Sequence, residues 1–480
     1  MKKTYLKLFS VLLLIFFAFI PLTAGADNSQ SGEISHVKTL TENWPGLAGT
    51  AGEDEAVRYI QKEFESYGLS TKVENFKLEN GYDFKDGHLS MEKPHEENYQ
   101  FAPIIRSPPV DNVTAELRYL ENASENNRFL ENKIILTSEN DLEKIYKYSP
   151  SAVILYRENT PTWSYVPSRP SLEIPTVTIS SQDAEELIRI LDNGDVVMSL
   201  SVDAETRELT SHNVVATLPG KREEKVIVAC HHDTVFSPGA VDSATGVAVM
   251  LEVAKKLSGK NLDKTVEFVS LGAKKYGSKG ADKYLENVKP DSIAAIFNVN
   301  SISSGPSDGL RIGVKGISNH WFDKYIARIA DNLGLNYSFG EKDDFRTFGE
   351  NYEYLSFGSG NFPSTRIYWV SGDGENPLWM VNTVKDRFEL VEGNNLKVST
   401  TLLTNSVRKL SSDWERGWMW ESNLPGTLSL FVVLSFAFVV VGLAFTSYLR
   451  YVKEKRGLEF IFIAGVVVLL AILGLFFLMF

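Results

Sequence analysis

From Asn213 onward the chain alternates two patterns of apolar residues. Short runs rich in β-branched residues predict buried strands, and longer stretches with apolar residues at helical spacing predict helices packed on one face. Regular alternation of the two is typical of an α/β fold, in which a mostly parallel mixed sheet is covered by helices. One predicted helix spans 320–333. The predicted strands are 214–218, 226–229, 266–271, 293–298 and 366–370.

The first half of the chain changes character at about residue 78. Residues 27–77 contain an amphipathic helix followed by a predicted strand, 70–76. Between 78 and 205 short strands, prolines and polar loops predict a small β-rich domain, inserted between 27–77 and 206–412 as the two parts of a larger domain. This insert is expected to contain one helix, 182–191, and the strands 133–136, 152–155 and 174–177.

The N-terminus has the pattern of an export signal. Lysines precede an apolar run over residues 8–20, and Ala24-Gly25-Ala26 fits a small-residue cleavage site, which predicts a signal peptide over 1–26. An uncleaved anchor is the alternative, but the apolar run is short for a transmembrane helix.

The C-terminus contains two apolar segments without a charged residue, Ser422–Leu449 and Phe460–Phe480. Each is long enough to cross a bilayer, so we expect transmembrane helices at 428–449 and 460–480 after a juxtamembrane linker, 413–427. The loop between them, 450–459, is expected to be cytoplasmic because basic residues favour that side. The protein is therefore predicted to lie in the cell membrane as a multi-pass protein with its large domain outside. The basic residues of the loop are Arg450, Lys453, Lys455 and Arg456.

Composition limits the classes of function. The net charge of -12 argues against a nucleic-acid partner, which would require a basic face. The single cysteine, Cys230, excludes a disulfide framework, and because it should point to the face opposite His231 we expect it to fill the core rather than bind a metal.

Candidate chemistry is concentrated between Val226 and Leu257. The predicted strand 226–229 leads into His231-His232-Asp233, and Asp242 follows a Pro-Gly turn just before a helical pattern. The carboxyl end of a parallel strand is the usual position of an α/β active site. An imidazole with an aspartate placed to orient it is also typical of metal sites. On this stretch alone, a histidine pair that ends a strand and an aspartate in a turn explain the residues equally well.

Two other predicted strands end in polar residues. Lys274 and Lys275 follow the strand 266–271, and Asn300 follows the strand 293–298. Since neighbouring parallel strands end at the same edge of a sheet, we expect these side chains to lie near His231 and Asp242.

Several motifs in order resemble a known family. They are Leu47-Ala48-Gly49-Thr50, the run 174–180, Asn213-Val214-Val215-Ala216 and the stretch 226–257. Over roughly 34–410 the chain resembles the co-catalytic zinc aminopeptidases of the aminopeptidase Y type (metallopeptidase family 28), whose relatives include glutamate carboxypeptidase and the transferrin receptor. The resemblance implies a zinc-exopeptidase-like fold with an inserted protease-associated domain.

The resemblance also implies roles for individual residues. His231 matches the first zinc ligand, Asp233 the residue that supports it, and Asp242 the carboxylate that bridges two zinc ions. Where the family has a Glu-Glu pair, general base and then ligand, this chain has Lys274 and Lys275.

Two further ligand positions are also changed. Asn300 replaces an aspartate ligand. The histidine of a His-Thr-x-x-Asp pattern is replaced by Asn382, and that pattern ends here at Asp386. The base and three of the five ligands implied by the resemblance are therefore absent from their positions.

These replacements remove the expected chemistry. A lysine ammonium donates hydrogen bonds, accepts none and repels a metal cation. Without a carboxylate at position 274, nothing obvious would deprotonate a water molecule. No cofactor is therefore expected, although a weak single zinc site at His231 and Asp242 stays open. The remaining candidates for lining a pocket are His232, Lys274, Lys275, Asn300 and Asn382.

The sequence thus predicts a membrane-anchored extracellular protein that is a catalytically inactive peptidase homologue with a binding, scaffolding or regulatory role. Its expected partners are the membrane and a peptide or another membrane protein. An active metallo-aminopeptidase that hydrolyses N-terminal residues is one alternative. A subunit that acts in a membrane complex through its transmembrane hairpin is another.

The lysines carry one structural expectation. In the absence of zinc, a buried Asp242 needs a cationic partner, so Lys274 or Lys275 is expected within salt-bridge reach of it. The alternative is that both lysines point to solvent and contribute little.

Overall fold

The computed structural model describes residues 31–42, 46–121, 130–139, 141–303, 309–314, 320–340, 363–370 and 380–412. The helices are α1 Gly32–Glu42, α2 Ala51–Ser66, α3 Leu142–Tyr146, α4 Ser181–Leu191, α5 Thr245–Leu257, α6 Lys279–Glu286, α7 His320–Asn332 and α8 Gly393–Ser412. The strands are β1 Ser70–Lys93, β2 Glu97–Asn98, β3 Ala102–Pro103, β4 Val110–Leu120, β5 Ile134–Thr137, β6 Ala152–Leu155, β7 Thr176–Thr178, β8 Val197–Leu218, β9 Arg222–His231, β10 Lys264–Leu271, β11 Ile293–Asn298, β12 Gly309–Val314, β13 Ser338–Gly340 and β14 Ser364–Val370.

The strands of the described ranges form one mixed sheet. Its order is β13-β12-β14-β11-β9-β10-β8-β4-β5-β6-β7-β3, with β1 paired to β8 and β2 paired to β1. The central strands β14, β11, β9 and β10 are parallel, and β8 runs antiparallel to β10. The predicted α/β fold, a mixed sheet with helices, is confirmed, and its parallel strands are concentrated at the centre.

Apolar residues of β9 fix the centre of this sheet. Val226, Ile227 and Val228 are fully buried, as a strand covered on both faces requires. Helix α5 packs against this region, and Cys230 contacts the Met250 sulfur at 3.7 Å. The cysteine therefore fills the core, as its position in the strand predicts.

Two long strands connect the centre of the sheet to the inserted region. β1 and β8 pair antiparallel from Ser70 opposite Thr217 to Lys93 opposite Val197. The sequence pattern predicts a strand only over 70–76, because the character of the chain changes at about residue 78. In the structure the ladder continues through an irregularity between Leu78 and Gly81.

The predicted boundaries of the insert, 78 and 205, fall inside β1 and β8. The strands β4 to β7 extend the same sheet and have a hydrophobic cluster of their own, which includes Ile135, Ile145 and Val153. The insert strands predicted at 133–136, 152–155 and 174–177 match β5, β6 and β7 to within two residues at each end.

The predicted membrane segments lie elsewhere in the chain. The signal peptide over 1–26, the linker over 413–427 and the two spans to residue 480 fall outside the described residues. Within the described ranges, none of the helices combines the length and the apolar character needed to cross a bilayer.

Candidate functional site

Three adjacent parallel strands bring their polar ends together at one edge of the sheet. β9 ends at His231, which is level with Leu271 at the end of β10. On the other side of β9, Ala229 is level with Asn298 at the end of β11. The turn that carries Lys274 and Lys275 follows β10, and Asn300 follows β11. The convergence expected from the sequence is therefore observed.

Asp242 reaches this edge from an irregular turn. A π-helical turn, Ala240–Ala244, precedes α5, and within it Asp242 has the non-helical angles φ -122 and ψ 86. The turn begins after Gly239, whose φ of 66 lies in the left-handed region that favours glycine. Gly246, in the first turn of α5, permits close packing against the Asn300 loop, since a Cβ there would lie 2.0 Å from the Val299 carbonyl oxygen.

The Asp242 carboxylate is surrounded by protein donors. His231 Nε2 lies 2.9 Å from Asp242 Oδ1, and Ser301 Oγ donates to the same oxygen at 3.0 Å. Lys275 Nζ donates to Oδ2 at 2.5 Å, while Lys274 Nζ lies 3.9 Å from it. The expected lysine partner is therefore present, and the side chain of Lys275 is only 4% exposed.

These partners determine the charge state of Asp242. Burial alone would raise the pKa of this carboxyl group, but the ammonium groups of Lys274 and Lys275 and the ring of His231 outweigh burial and hold the pKa well below its ordinary value. Asp242 is therefore an ionised carboxylate near neutral pH.

The ring of His231 lies between two acceptors. Its Nδ1 is 3.1 Å from the Asp233 carbonyl oxygen, and its Nε2 faces the Asp242 carboxylate. Both ring nitrogens therefore face groups of the protein, whereas a metal ligand would present one unprotonated nitrogen to an ion.

Asp233 supports both the histidine and the lysine turn. Its carboxylate accepts hydrogen bonds from the backbone N–H groups of Lys274 at 3.0 Å and Lys275 at 2.9 Å. Burial opposes ionisation of Asp233. The hydrogen bond and charge of His231 and the hydrogen bond from the Lys275 backbone N–H outweigh burial, so the pKa of Asp233 is lowered. Asp233 thus fixes the direction in which the two lysine side chains leave the backbone.

Asn300 connects two strand ends. Its Oδ1 accepts a hydrogen bond from the His231 backbone N–H at 3.1 Å, and its Nδ2 donates to Asn298 Oδ1 at 2.5 Å. Both ends of this amide therefore help to hold the site in shape.

Asn382 belongs to a segment that pairs with the insert. Its backbone has a φ of 62, and its carbonyl oxygen accepts a hydrogen bond from the Ser164 N–H at 3.1 Å. The Val384 N–H donates to the Thr162 carbonyl oxygen at 3.0 Å, so the two segments form a short antiparallel contact. The insert thereby contacts the loop that carries one of the predicted site residues.

Asp386 links the same segment to Asp242. Its carboxylate accepts hydrogen bonds from the backbone N–H groups of Val241 at 2.7 Å and Asp242 at 3.2 Å. Burial, together with the charge of Asp242, raises the pKa of Asp386 to about 7. The sequence places Asp386 at the end of a motif, but its role in holding Asp242 emerges only from the structure, as does that of Ser301.

His232 is directed into a different polar cluster. Its Nδ1 lies 2.9 Å from Ser270 Oγ, and its Nε2 lies 3.4 Å from Glu53 Oε1. Glu53 also accepts a hydrogen bond from Ser211 Oγ at 2.6 Å. His231, the last residue of β9, and His232, which follows it, therefore contact separate groups. The side chains of His231, Asp242, Lys274 and Lys275 therefore lie together, as the sequence predicts. His232 points away from them.

The donor set at Asp242 does not fit a metal ion. In the ranges that the structure describes, no group of three or more His, Cys, Asp or Glu side chains is arranged to hold one. Two residues match metal-ligand positions of the resembled family, His231 and Asp242, and they contact each other directly. The second carboxylate oxygen of Asp242 accepts a hydrogen bond from Lys275. The lone pairs that a metal would need are occupied by hydrogen bonds within the protein.

Comparison with protein families connects this site to a known class. Residues 213–403 match the model of Peptidase family M28. This region of the chain is similar to the domain of that family. The range includes all the residues described above around Asp242.

Relatives support the assignment. The chain is 26% identical to Aminopeptidase YwaD of Bacillus subtilis (strain 168) over 394 residues, which is 76% of this chain and 80% of that protein. It is 30% identical to a probable leucine aminopeptidase 2 of Aspergillus oryzae over 133 residues, 27% of each chain.

Solved structures share the fold. A zinc aminopeptidase from Bacillus subtilis superposes with a TM-score of 0.66 at 23% identity and covers 80% of this chain and 95% of its own. A peptidase M28 precursor from Shewanella amazonensis SB2B superposes with a TM-score of 0.64 at 18% identity. The match covers 81% of this chain and 94% of that chain. The recognition of the family from sequence motifs is confirmed.

Asp386 supplies a prediction for the site. Asp386→Ala leaves the buried N–H groups of Val241 and Asp242 without their acceptor, which should lower the free energy of unfolding by about 2–4 kcal/mol. Chemical denaturation of the purified chain measures the change. Asp195→Ala, at a side chain that is 84% exposed, is the control and should change stability by less than about 0.5 kcal/mol. Equal stability of the two variants would contradict the role assigned to Asp386.

Proposed function

We propose that this chain is a peptidase homologue of family M28 without hydrolytic activity, which binds a partner instead of cleaving it. The observation that supports the proposal is the presence of two amines, Lys274 and Lys275, beside Asp242. Peptide hydrolysis by a metallopeptidase requires a carboxylate that accepts a proton and a cation that activates water.

The contacts of Asp242 leave little room for that chemistry. His231, Ser301 and Lys275 all direct donors at its carboxylate. A protonated lysine has no lone pair with which to take a proton from water. A water molecule near Asp242 would therefore meet hydrogen-bond donors and positive charge rather than a base.

Aminopeptidase activity is the competing function. The relatives named above are described as aminopeptidases, and one of the similar structures is described as a zinc aminopeptidase. In this chain such an activity would have to arise without Glu residues at 274 and 275, with Asn300 and Asn382 in place of the other two ligands. We therefore favour binding over catalysis.

The inserted region is the proposed binding module. Residues 78–205 resemble a protease-associated domain in sequence, and residues 162–164 contact the segment 382–384 beside the site. A peptide or membrane protein held by the insert would lie against the same segment that supports Asp242. This arrangement supports a scaffolding or regulatory role in which the insert and the former catalytic region recognise one partner.

The proposal includes an extracellular position. A signal peptide over 1–26 would export the chain, and the apolar segments 428–449 and 460–480 would anchor it with residues 27–412 outside. A subunit that acts in a membrane complex through this hairpin is the alternative within the same topology. Co-purification of a membrane protein with the hairpin alone would favour that alternative.

Metal content and hydrolysis test the absence of catalysis. The purified full-length chain is expected to contain well under one zinc per chain and to release no amino acid from aminoacyl p-nitroanilides. Elemental analysis and a chromogenic assay measure the two quantities, with the Bacillus subtilis aminopeptidase handled in parallel as a positive control. Two zinc ions per chain, or hydrolysis that a chelator abolishes, would show an active enzyme.

Protease accessibility tests the topology. Protease added to intact cells should digest the region 27–412, whereas a tag inserted in the 450–459 loop should be cut only after the membrane is opened. The basic loop residues are the physical reason, since they favour the cytoplasmic side. Cleavage of the tag in intact cells with protection of the large domain would reverse the orientation.

A further inference from the structure

We infer that the ammonium group of Lys275 is a built-in counter-ion that takes the place of a metal ion in this site, so that the buried centre around Asp242 is held together without metal. The inference rests on the proposed function in one respect, because both require a site that is free of metal. It adds a specific residue, a specific partner atom and a reason why the scaffold keeps its shape.

Burial of the Asp242 carboxylate costs free energy. The residue is 3% exposed, and its carboxylate lies at the meeting point of three strand ends. A carboxylate removed from water is stable only if opposite charge and hydrogen bonds compensate for the lost hydration. In metal-dependent relatives a cation would supply that charge, and here a different cation must do so.

Lys275 satisfies this requirement more closely than Lys274. Its Nζ lies 2.5 Å from Asp242 Oδ2, whereas the Nζ of Lys274 lies 3.9 Å from the same atom. Both lysine side chains are shielded from solvent, with exposures of 4% for Lys275 and 9% for Lys274. Lys275 is therefore the direct ion-pair partner, and Lys274 adds charge at longer range.

The position of Lys275 is set by its backbone. The Lys275 N–H donates to the Asp233 carboxylate at 2.9 Å, and the turn also uses a positive φ of 51 at Ala273. Asp233 in turn contacts the ring of His231. The residue that would support a metal-binding histidine in a relative here also directs the lysine at Asp242.

The remaining lone pairs of Asp242 are also used. Oδ1 faces His231 Nε2 and accepts from Ser301, while Oδ2 accepts from Lys275. A metal ion could bind Asp242 only by displacing Lys275 from Oδ2, or His231 and Ser301 from Oδ1. The ammonium group is thus both a partner for the carboxylate and a barrier to metal binding.

Stability measurements test whether Lys275 compensates the charge of Asp242. In the full-length chain, Lys275→Met should lower the melting temperature by roughly 5–15 °C, because it leaves a buried carboxylate without its partner. The double variant Asp242→Asn/Lys275→Met should recover at least half of the loss, since it removes both charges. Lys221→Met is the control, because Lys221 pairs with Asp263 at the surface and its side chain is 75% exposed, and it should shift the melting temperature by less than about 2 °C.

The outcomes are decisive even if one variant fails to fold. A folded double variant beside an unfolded Lys275→Met chain supports the inference. Unchanged melting temperatures in both, or a double variant no more stable than Lys275→Met, overturn it.

Metal addition tests whether Lys275 prevents a metal ion from binding at Asp242. Zinc and a chelator should leave the melting temperature of the unmodified chain unchanged. Lys275→Glu places a carboxylate beside Asp242, so this variant should be destabilised in chelator and stabilised by roughly 5 °C or more in saturating zinc. Lys275→Met, if folded, should not respond to zinc.

Two results would contradict the claim that Lys275 prevents metal binding. One is a Lys275→Glu chain that zinc does not stabilise, and the other is an unmodified chain that loses stability in chelator. Hydrolysis by the unmodified chain is a separate result. It would refute the proposed function, whereas unaltered stability of the lysine variants refutes only the role of Lys275.

Discussion

A buried carboxylate must be compensated, and the surroundings of Asp242 follow from this constraint. The irregular turn before α5 places the Asp242 side chain among three strand ends, where solvent does not reach it. Its pKa stays low because Lys274, Lys275 and His231 supply positive charge and hydrogen bonds. Asp386 fixes the backbone of the turn, and Asp233 fixes the backbone of the lysines. The site is a closed network in which each acidic side chain has defined donors.

The family fold explains why this network persists. Parallel strands that end together create a shared edge whatever side chains stand there. A change of chemistry at the edge therefore leaves the scaffold intact, provided that the charge of Asp242 remains balanced. The resemblance to zinc aminopeptidase structures at low identity, with a TM-score of 0.66, is consistent with a fold preserved beyond its site residues.

Much of this could be predicted from the sequence. The strand predicted at 293–298 coincides with β11, and the meeting of His231, Asp242 and the lysines follows from the parallel order of the strands. Apolar runs are informative here because the central strands are buried on both faces. Only the ends of the long strands β1 and β8 were predicted, at 70–76 and 214–218, because much of β1 is polar and partly exposed, so its apolar period is weak.

Other features depend on contacts between residues distant in the chain. Asp386 holds Asp242 across the fold, and Thr162 pairs with Val384, and neither relation leaves a pattern in a single sequence. His232 is adjacent to His231 in sequence and is predicted to line the same pocket, yet the two rings contact different partners. The unusual residues are visible in the sequence, but the atoms that they contact are visible only in the structure.

The central claim is that an ammonium group occupies the place of a metal beside Asp242. The most direct measurement is a crystal structure of crystals grown with excess zinc, with anomalous diffraction recorded at the zinc absorption edge. The account predicts continuous density for Lys275 up to Asp242 and no anomalous peak within coordination distance of the carboxylate. A strong zinc peak bound by His231 and Asp242, with the Lys275 side chain turned away, would contradict it.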